Sequence, residues 1–135
     1  MTFVIDASVV GGWMFKDERH AIFDIALDSL MQDTALAPVH WWFEVRNMLA
    51  IGERRRRISK EAVTEFLDWL RNLPIVVAPF PNELEVLSLA RSHGLTFYDA
   101  AYCELARREG VALATLDLRL TRAALAEGVV LIGSH

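Results

Sequence analysis

Short runs of consecutive apolar residues alternate along this chain with longer segments whose apolar residues recur at helical spacing. Runs of this length are typical of strands that are buried on both faces of a sheet. We place such strands at residues 3–5, 36–37, 75–77, 111–114 and 129–132. The alternation of strands and helices predicts an α/β fold with a short parallel sheet covered by helices on both faces.

The segments between these runs carry start and stop signals for helices. Ser59 can cap one helix, and Asn82 with Glu85 resembles the capping box of the next. Gly94 and Gly110 each follow a helical pattern, where glycine commonly ends a helix. The predicted helices cover residues 7–15, 18–31, 40–51, 59–73, 82–93, 98–109 and 118–126.

Four acidic residues interrupt this pattern at places where a carboxylate does not favour folding. Asp6 and Asp117 close apolar strands, Asp99 opens an amphipathic helix, and Glu44 lies in an apolar helical stripe. Carboxylates that gather near apolar residues repel one another and lose hydration. A hard divalent cation is the usual compensation for that cost.

The predicted topology allows the four carboxylates to meet. Asp6 and Asp117 follow the carboxyl ends of strands, where open parallel sheets form their sites. Asp99 lies in the first turn of a helix, and the spacing of Glu44 predicts that its side chain points toward the core. Ligands that are all oxygen favour Mg²⁺ or Mn²⁺, and the histidines show no paired spacing for a transition metal.

Each acid also has a simpler structural interpretation. Asp6 and Asp117 could cap the helices that follow them, and Asp99 could complete a capping box that begins at Thr96. Glu44 could pair with an arginine, such as Arg46 or Arg91.

Composition narrows the class of protein. The 135 residues are 53% hydrophobic, which suits a single domain over residues 1–135. Cys103 is the only cysteine, so an internal disulfide and a cysteine-based zinc site are excluded. The formal charge of −4 argues against a globally basic nucleic-acid binder. We see no signal peptide and no apolar stretch near the ~20 residues that cross a bilayer, and we therefore expect a cytoplasmic protein without a membrane partner.

At the four acids the chain resembles the PIN domain family, and within it the VapC-type toxin ribonucleases of toxin–antitoxin pairs. The resemblance runs through nearly the whole chain in four fragments: Val4-Ile5-Asp6-Ala7-Ser8, Glu44-Val45-Arg46-Asn47, Leu95-Thr96-Phe97-Tyr98-Asp99-Ala100-Ala101-Tyr102 and Thr115-Leu116-Asp117.

This resemblance implies a three-layer α/β/α fold and magnesium-dependent cleavage of RNA, with Mn²⁺ as a substitute metal. It implies that the four acids hold the metal and activate water. Ser8, Thr115 and Asn47 match polar positions that would orient those carboxylates. It further implies a type II toxin that forms a homodimer and is neutralised by a small antitoxin protein. A PIN-fold module that only binds a protein partner is the alternative function.

Consecutive arginines form the remaining feature, the arginine run: Arg54, Arg55, Arg56 and Arg57. In the simpler interpretation the run is a solvated helix end, where cations favour the helix dipole. In the functional interpretation it contacts RNA phosphates beside the acids or an acidic antitoxin.

Overall fold

The computed structural model of the protein describes residues 1–133, so residues 134 and 135 of the predicted domain lie outside the described part. In chain order the elements are β1 (Phe3–Ile5), α1 (Ala7–Met14), α2 (Ala21–Ser29), β2 (Ala35–Ala37), α3 (Val39–Arg54), α4 (Lys60–Arg71), β3 (Ile75–Val77), α5 (Glu83–His93), α6 (Phe97–Glu109), β4 (Ala112–Ala114) and α7 (Leu118–Ala126). The α/β class that the sequence predicts is confirmed.

The sheet has four parallel strands in the order β3-β2-β1-β4. The chain moves from β1 toward one edge through β2 and β3, and then returns to place β4 on the other side of β1. With right-handed crossovers, helices α1 to α4 and helices α5 and α6 cover opposite faces of the sheet. The order therefore reverses between β1 and β4, and a crevice forms at such a point.

The predicted strand at residues 129–132 is wrong. This segment makes only one isolated bridge, between Leu131 and Leu113 of β4. Helix α2 also begins later than predicted, because the side chain of His20 accepts a hydrogen bond from the backbone N–H of Ile22 and caps the helix there.

The predicted helix boundaries are otherwise set by local chemistry. Ser59 and Asn82 accept hydrogen bonds from backbone N–H groups in the first turns of α4 and α5. Gly94 and Gly110 adopt left-handed conformations, with φ of 63° and 65°, at the ends of α5 and α6. These caps fix the directions in which α5 and α6 run.

Helices α1 and α3 run in the same direction. They pack closely because glycine lies at two contacts between them. A Cβ atom at Gly11 would approach Met48 to 2.4 Å, and one at Gly52 would approach the ring of Phe15 to 2.7 Å. Both helices begin at the carboxyl edge of the sheet, so their first turns border the same crevice. None of the helices in residues 1–133 has the length and apolarity needed to cross a membrane.

Candidate metal site

Asp6 lies at the reversal point of the sheet, between the end of β1 and the start of α1. Its backbone N–H donates to the carbonyl of Ala114 at 3.1 Å, which joins it to β4. One carboxylate oxygen accepts from the backbone N–H of Ser8, and the other accepts from the hydroxyl of Thr115. The residue is only 7% exposed.

Burial raises the pKa of Asp6 to about 6, from an ordinary value of 3.8. The hydrogen bonds from Thr115 and Ser8 lower the pKa, whereas the nearby charge of Glu44 raises it further. The site thus destabilises the ionised carboxylate, even though two donors hold it in place. A cation beside this carboxylate would remove that cost.

Ser8 and Thr115 tie the ends of β1 and β4 together. Besides donating to Asp6, the hydroxyl of Thr115 accepts from the backbone N–H of Asp117 at 3.0 Å. The hydroxyl of Ser8 accepts from the backbone N–H of Leu116 at 3.1 Å. Both side chains therefore orient the segments that carry Asp6 and Asp117.

Glu44 lies on α3 at the edge of the stripe that buries Trp41 and Val45. Its side chain is 38% exposed, so it borders the crevice instead of pointing into the core as the spacing predicted. The hydroxyl of Tyr102 donates to Oε1 at 2.5 Å. Burial raises the pKa of Glu44 and the charge of Asp99 adds to the increase, whereas the Tyr102 hydrogen bond lowers it.

Asp99 and Asp117 lie at the starts of α6 and α7. The backbone N–H of Asp99 donates to the hydroxyl of Thr96, the cap of α6. Burial raises the pKa of Asp99, and the charge of Asp117 raises it further. Asp117 caps α7 by accepting from the backbone N–H of Leu120 at 2.9 Å.

The four acids form a connected group in pairs: the charge of Glu44 raises the pKa of Asp6, that of Asp99 raises the pKa of Glu44, and that of Asp117 raises the pKa of Asp99. No lysine or arginine within the described residues forms an ion pair with any of them. The donor set is all oxygen, which suits Mg²⁺ or Mn²⁺. The side chains are not arranged as a ligand shell, since no three His, Cys, Asp or Glu groups in residues 1–133 stand close enough to hold one ion.

The capping interpretations are confirmed for Asp6 and Asp117. No arginine in residues 1–133 pairs with Glu44, so that alternative is wrong. Arg46 instead lies over the ring of Trp42 and donates to the Trp42 carbonyl. A cap uses only part of a carboxylate's accepting capacity, so capping and metal binding are compatible at Asp117.

Asn47 is exposed on α3, one turn after Glu44, and lines the same shallow pocket as Glu44 and His40. The arginine run lies farther along the chain. Arg54 follows Glu44 by ten residues on the same helix, which separates them by about 15 Å along its axis. Arg57 pairs with Asp17 at 3.1 Å and lies over the ring of Phe15, whereas the other three arginines are exposed and form no ion pair within the described residues.

Two side chains beside the acids, Tyr102 and His40, were not predicted from the sequence. Tyr102 follows Asp99 by three residues on α6, and His40 precedes Glu44 by four residues on α3. Both spacings place the pairs on one helix face, and that signal could have identified them. The ring of His40 packs edge-on against Tyr102, with centroids 5.1 Å apart.

Known proteins are similar to this chain in sequence and in fold. The profile of the PIN domain family matches residues 3–125. Ribonuclease VapC3 of Pyrobaculum aerophilum is 30% identical over 123 residues, which cover 89% of this chain and 92% of that protein. Exonuclease VapC9 of the same organism is 37% identical over 92 residues, which cover 58% of this chain and 69% of that protein.

Among solved structures, PAE2754 from Pyrobaculum aerophilum superposes with a TM-score of 0.74 at 24% identity. The match covers 98% of this chain and 90% of that one. The overall fold is therefore one that an experimentally solved protein also adopts.

Proposed function

The chain belongs to the PIN domain family, and from that premise we propose that it is a magnesium-dependent endoribonuclease, the toxin of a type II toxin–antitoxin pair. The connected group of four carboxylates without a lysine or arginine partner is the observation that carries this proposal. A fold alone does not determine chemistry, but this group of side chains is poorly explained by stability. The similarity to a ribonuclease over most of the chain favours RNA as the substrate.

We propose that Asp6, Glu44, Asp99 and Asp117 hold Mg²⁺, or Mn²⁺ in its place. The chemistry that such an ion supplies is polarisation of a phosphoryl oxygen and activation of water. Thr115 and Ser8 hold Asp6 in one orientation, and the backbone N–H of Leu120 holds Asp117. These donors belong to strand ends and helix starts, so Asp6 and Asp117 keep their positions while the side chains of Glu44 and Asp99 move toward them on binding.

Asp99→Asn tests the nuclease assignment with the least disturbance of the fold. Asp99 makes no ion pair within the described residues, and the amide keeps the shape of its side chain. We expect cleavage of single-stranded RNA with Mg²⁺ to fall at least ~100-fold in the folded variant. Asp28→Asn makes the same change on the exposed surface of α2 and should cut at the wild-type rate. Equal rates for all three proteins would refute the assignment.

The alternative, a non-catalytic module, makes a different prediction for metal binding. Calorimetric titration of the free protein with Mn²⁺ should show saturable binding at millimolar metal or below, if the acids form a metal site. No heat of binding, together with no cleavage, would favour the module.

We also propose that the protein binds an antitoxin and a second copy of itself, as the VapC-type resemblance implies. Exposed apolar side chains support a protein partner, and they cluster in sequence from the edge strand β3 to the start of α5. They include Val76, Phe80 and Leu84. Exposed apolar side chains of this size are candidates for contact with a protein partner.

A further inference from the structure

One oxygen of Glu44 is already occupied by a group from the other side of the crevice. Tyr102 is buried on α6, and its hydroxyl reaches Glu44 on α3 with a donor–acceptor distance of 2.5 Å. Only Oε1 takes part in this hydrogen bond. A tyrosine hydroxyl bonded to a charged acceptor makes a strong hydrogen bond, so the contact restricts rotation of the carboxylate.

His40 approaches the same oxygen from α3 itself. Its Nε2 atom lies 3.5 Å from Oε1 of Glu44, too far for a hydrogen bond, and this buried nitrogen has no other partner in the described part of the chain. The imidazole ring packs against Tyr102, with ring centroids 5.1 Å apart, and the exposed ring of Tyr98 lies 5.4 Å away. A small movement of Glu44 toward His40 would satisfy this nitrogen.

We propose that Tyr102 and His40 form a clamp that positions Glu44, in which Tyr102 holds Oε1 by a hydrogen bond, His40 borders the same oxygen, and Oε2 remains available to a cation. This inference rests on the proposed metal-dependent function. A glutamate at a half-exposed position would otherwise lose rotamer freedom on binding a metal, and the clamp reduces that loss before the ion arrives. Tyr102 and His40 are thus positioning residues that act through Glu44 and do not touch the metal.

Tyr102→Phe removes only the hydroxyl and keeps the ring that packs in the core. We expect the dissociation constant for Mn²⁺, measured by calorimetry on the full chain without RNA, to rise ~10–100-fold. The matched control is Tyr98→Phe, because Tyr98 also packs against His40 but is 64% exposed and donates no hydrogen bond to an acid within residues 1–133. The control should bind Mn²⁺ like the wild type.

A double-mutant cycle decides whether Tyr102 acts through Glu44. In a Glu44→Gln background, Tyr102→Phe should change the Mn²⁺ dissociation constant less than twofold, because the orientation it secures no longer matters. The same large loss in both backgrounds would overturn the clamp and indicate a general effect on packing. Should Tyr102→Phe fail to fold, His40→Phe keeps the ring contacts and removes the nitrogen, and an unchanged dissociation constant there would overturn it as well.

Failure of this inference differs from failure of the proposed function. If the wild-type protein binds no Mn²⁺, the proposed metal site is refuted, and the clamp is refuted with it. If the wild type binds Mn²⁺ but no more tightly than Tyr102→Phe, only the clamp is refuted and the nuclease assignment stands.

Discussion

At the scale of single residues, the carboxylate of Asp6 joins several parts of the fold. Asp6 caps α1, accepts from Thr115 and links β1 to β4, so its position is determined by backbone and side-chain donors. Those hydrogen bonds do not offset its burial, because its pKa stays raised to about 6. The metal-free protein therefore retains an unfavourable charge at the position that we assign to a cation.

Asp6→Asn should stabilise the metal-free protein at pH 7.5 by up to ~3 kcal/mol, the free energy that corresponds to the increase in pKa from 3.8 to about 6. Because the folded state favours the protonated acid, the stability that Asp6 contributes is present below pH ~4 and is lost as the pH rises to about 6. Asparagine does not ionise, so Asp6→Asn does not lose stability in this way as the pH rises. At pH 4 Asp6 of the folded wild type is protonated, so the free energies of unfolding of the two proteins should differ little. Urea unfolding in the presence of a chelator at both pH values measures this difference.

Mg²⁺ should reverse the order of stability of the wild type and Asp6→Asn. Mg²⁺ should raise the free energy of unfolding of the wild type at pH 7.5, and raise that of Asp6→Asn much less, because a ligand stabilises only the state that binds it. The control is Asp28→Asn on the exposed surface of α2, which should follow the wild type throughout. A variant less stable than the wild type in chelator at pH 7.5 would contradict the prediction.

At the scale of elements, the helices that carry the site were predictable where their signals are local. The caps at Ser59, Asn82, Gly94 and Gly110 depend on residues within one turn, and the structure contains all of them. The strand expected at 129–132 depends on pairing with a distant segment, and only one bridge forms there. Sequence periodicity describes which face of an element is apolar, but not how much of its length finds a partner.

The two glycines of α1, Gly11 and Gly12, lie against neighbours that differ in how easily they can move. A Cβ atom at Gly12 would lie 2.3 Å from the ring of Phe23, which is buried, whereas one at Gly11 would meet the mobile end of Met48. We expect Gly12→Ala to lower the free energy of unfolding by ~1–3 kcal/mol through overpacking. Gly11→Ala should stay within ~1 kcal/mol of the wild type, because alanine favours the helix and Met48 can move.

Urea unfolding of both alanine variants tests this order. The two substitutions change neighbouring residues in the same helix and add the same methyl group, so each is the control for the other. A larger loss of stability in Gly11→Ala than in Gly12→Ala would show that Met48, and not Phe23, is the rigid contact.

At the scale of the whole molecule, the sequence predicts which edge of the sheet carries the acids but not how their side chains are arranged. Continuous apolar strands followed by acids predict a parallel sheet with carboxylates at one edge, and the positions of Asp6 and Asp117 agree with that topology. The contact between Tyr102 and Glu44 spans 58 residues, and no local pattern encodes it. The half-exposed position of Glu44 has the same origin, because it depends on how α3 lies against α6.

The distance between the acids and the arginine run sets the last prediction. Arg54 lies about 15 Å from Glu44 along α3, and Arg55 and Arg56 follow it directly beyond the helix. This is too far to contact the phosphate that we propose is cleaved, but within reach of other phosphates on the same RNA. In a protein with a formal charge of −4, such a local cluster should dominate the salt dependence of RNA binding. Replacing all three by glutamine should make the slope of the logarithm of the RNA-binding constant against the logarithm of salt concentration shallower by ~2, since each phosphate contact on a single strand contributes ~0.7.

Fluorescence anisotropy measures this slope, with all variants made in the Asp99→Asn protein so that the RNA is not cut. Arg91→Gln removes one exposed positive charge from α5 and is the control. An unchanged slope in the triple variant would show that the run is only a solvated helix end.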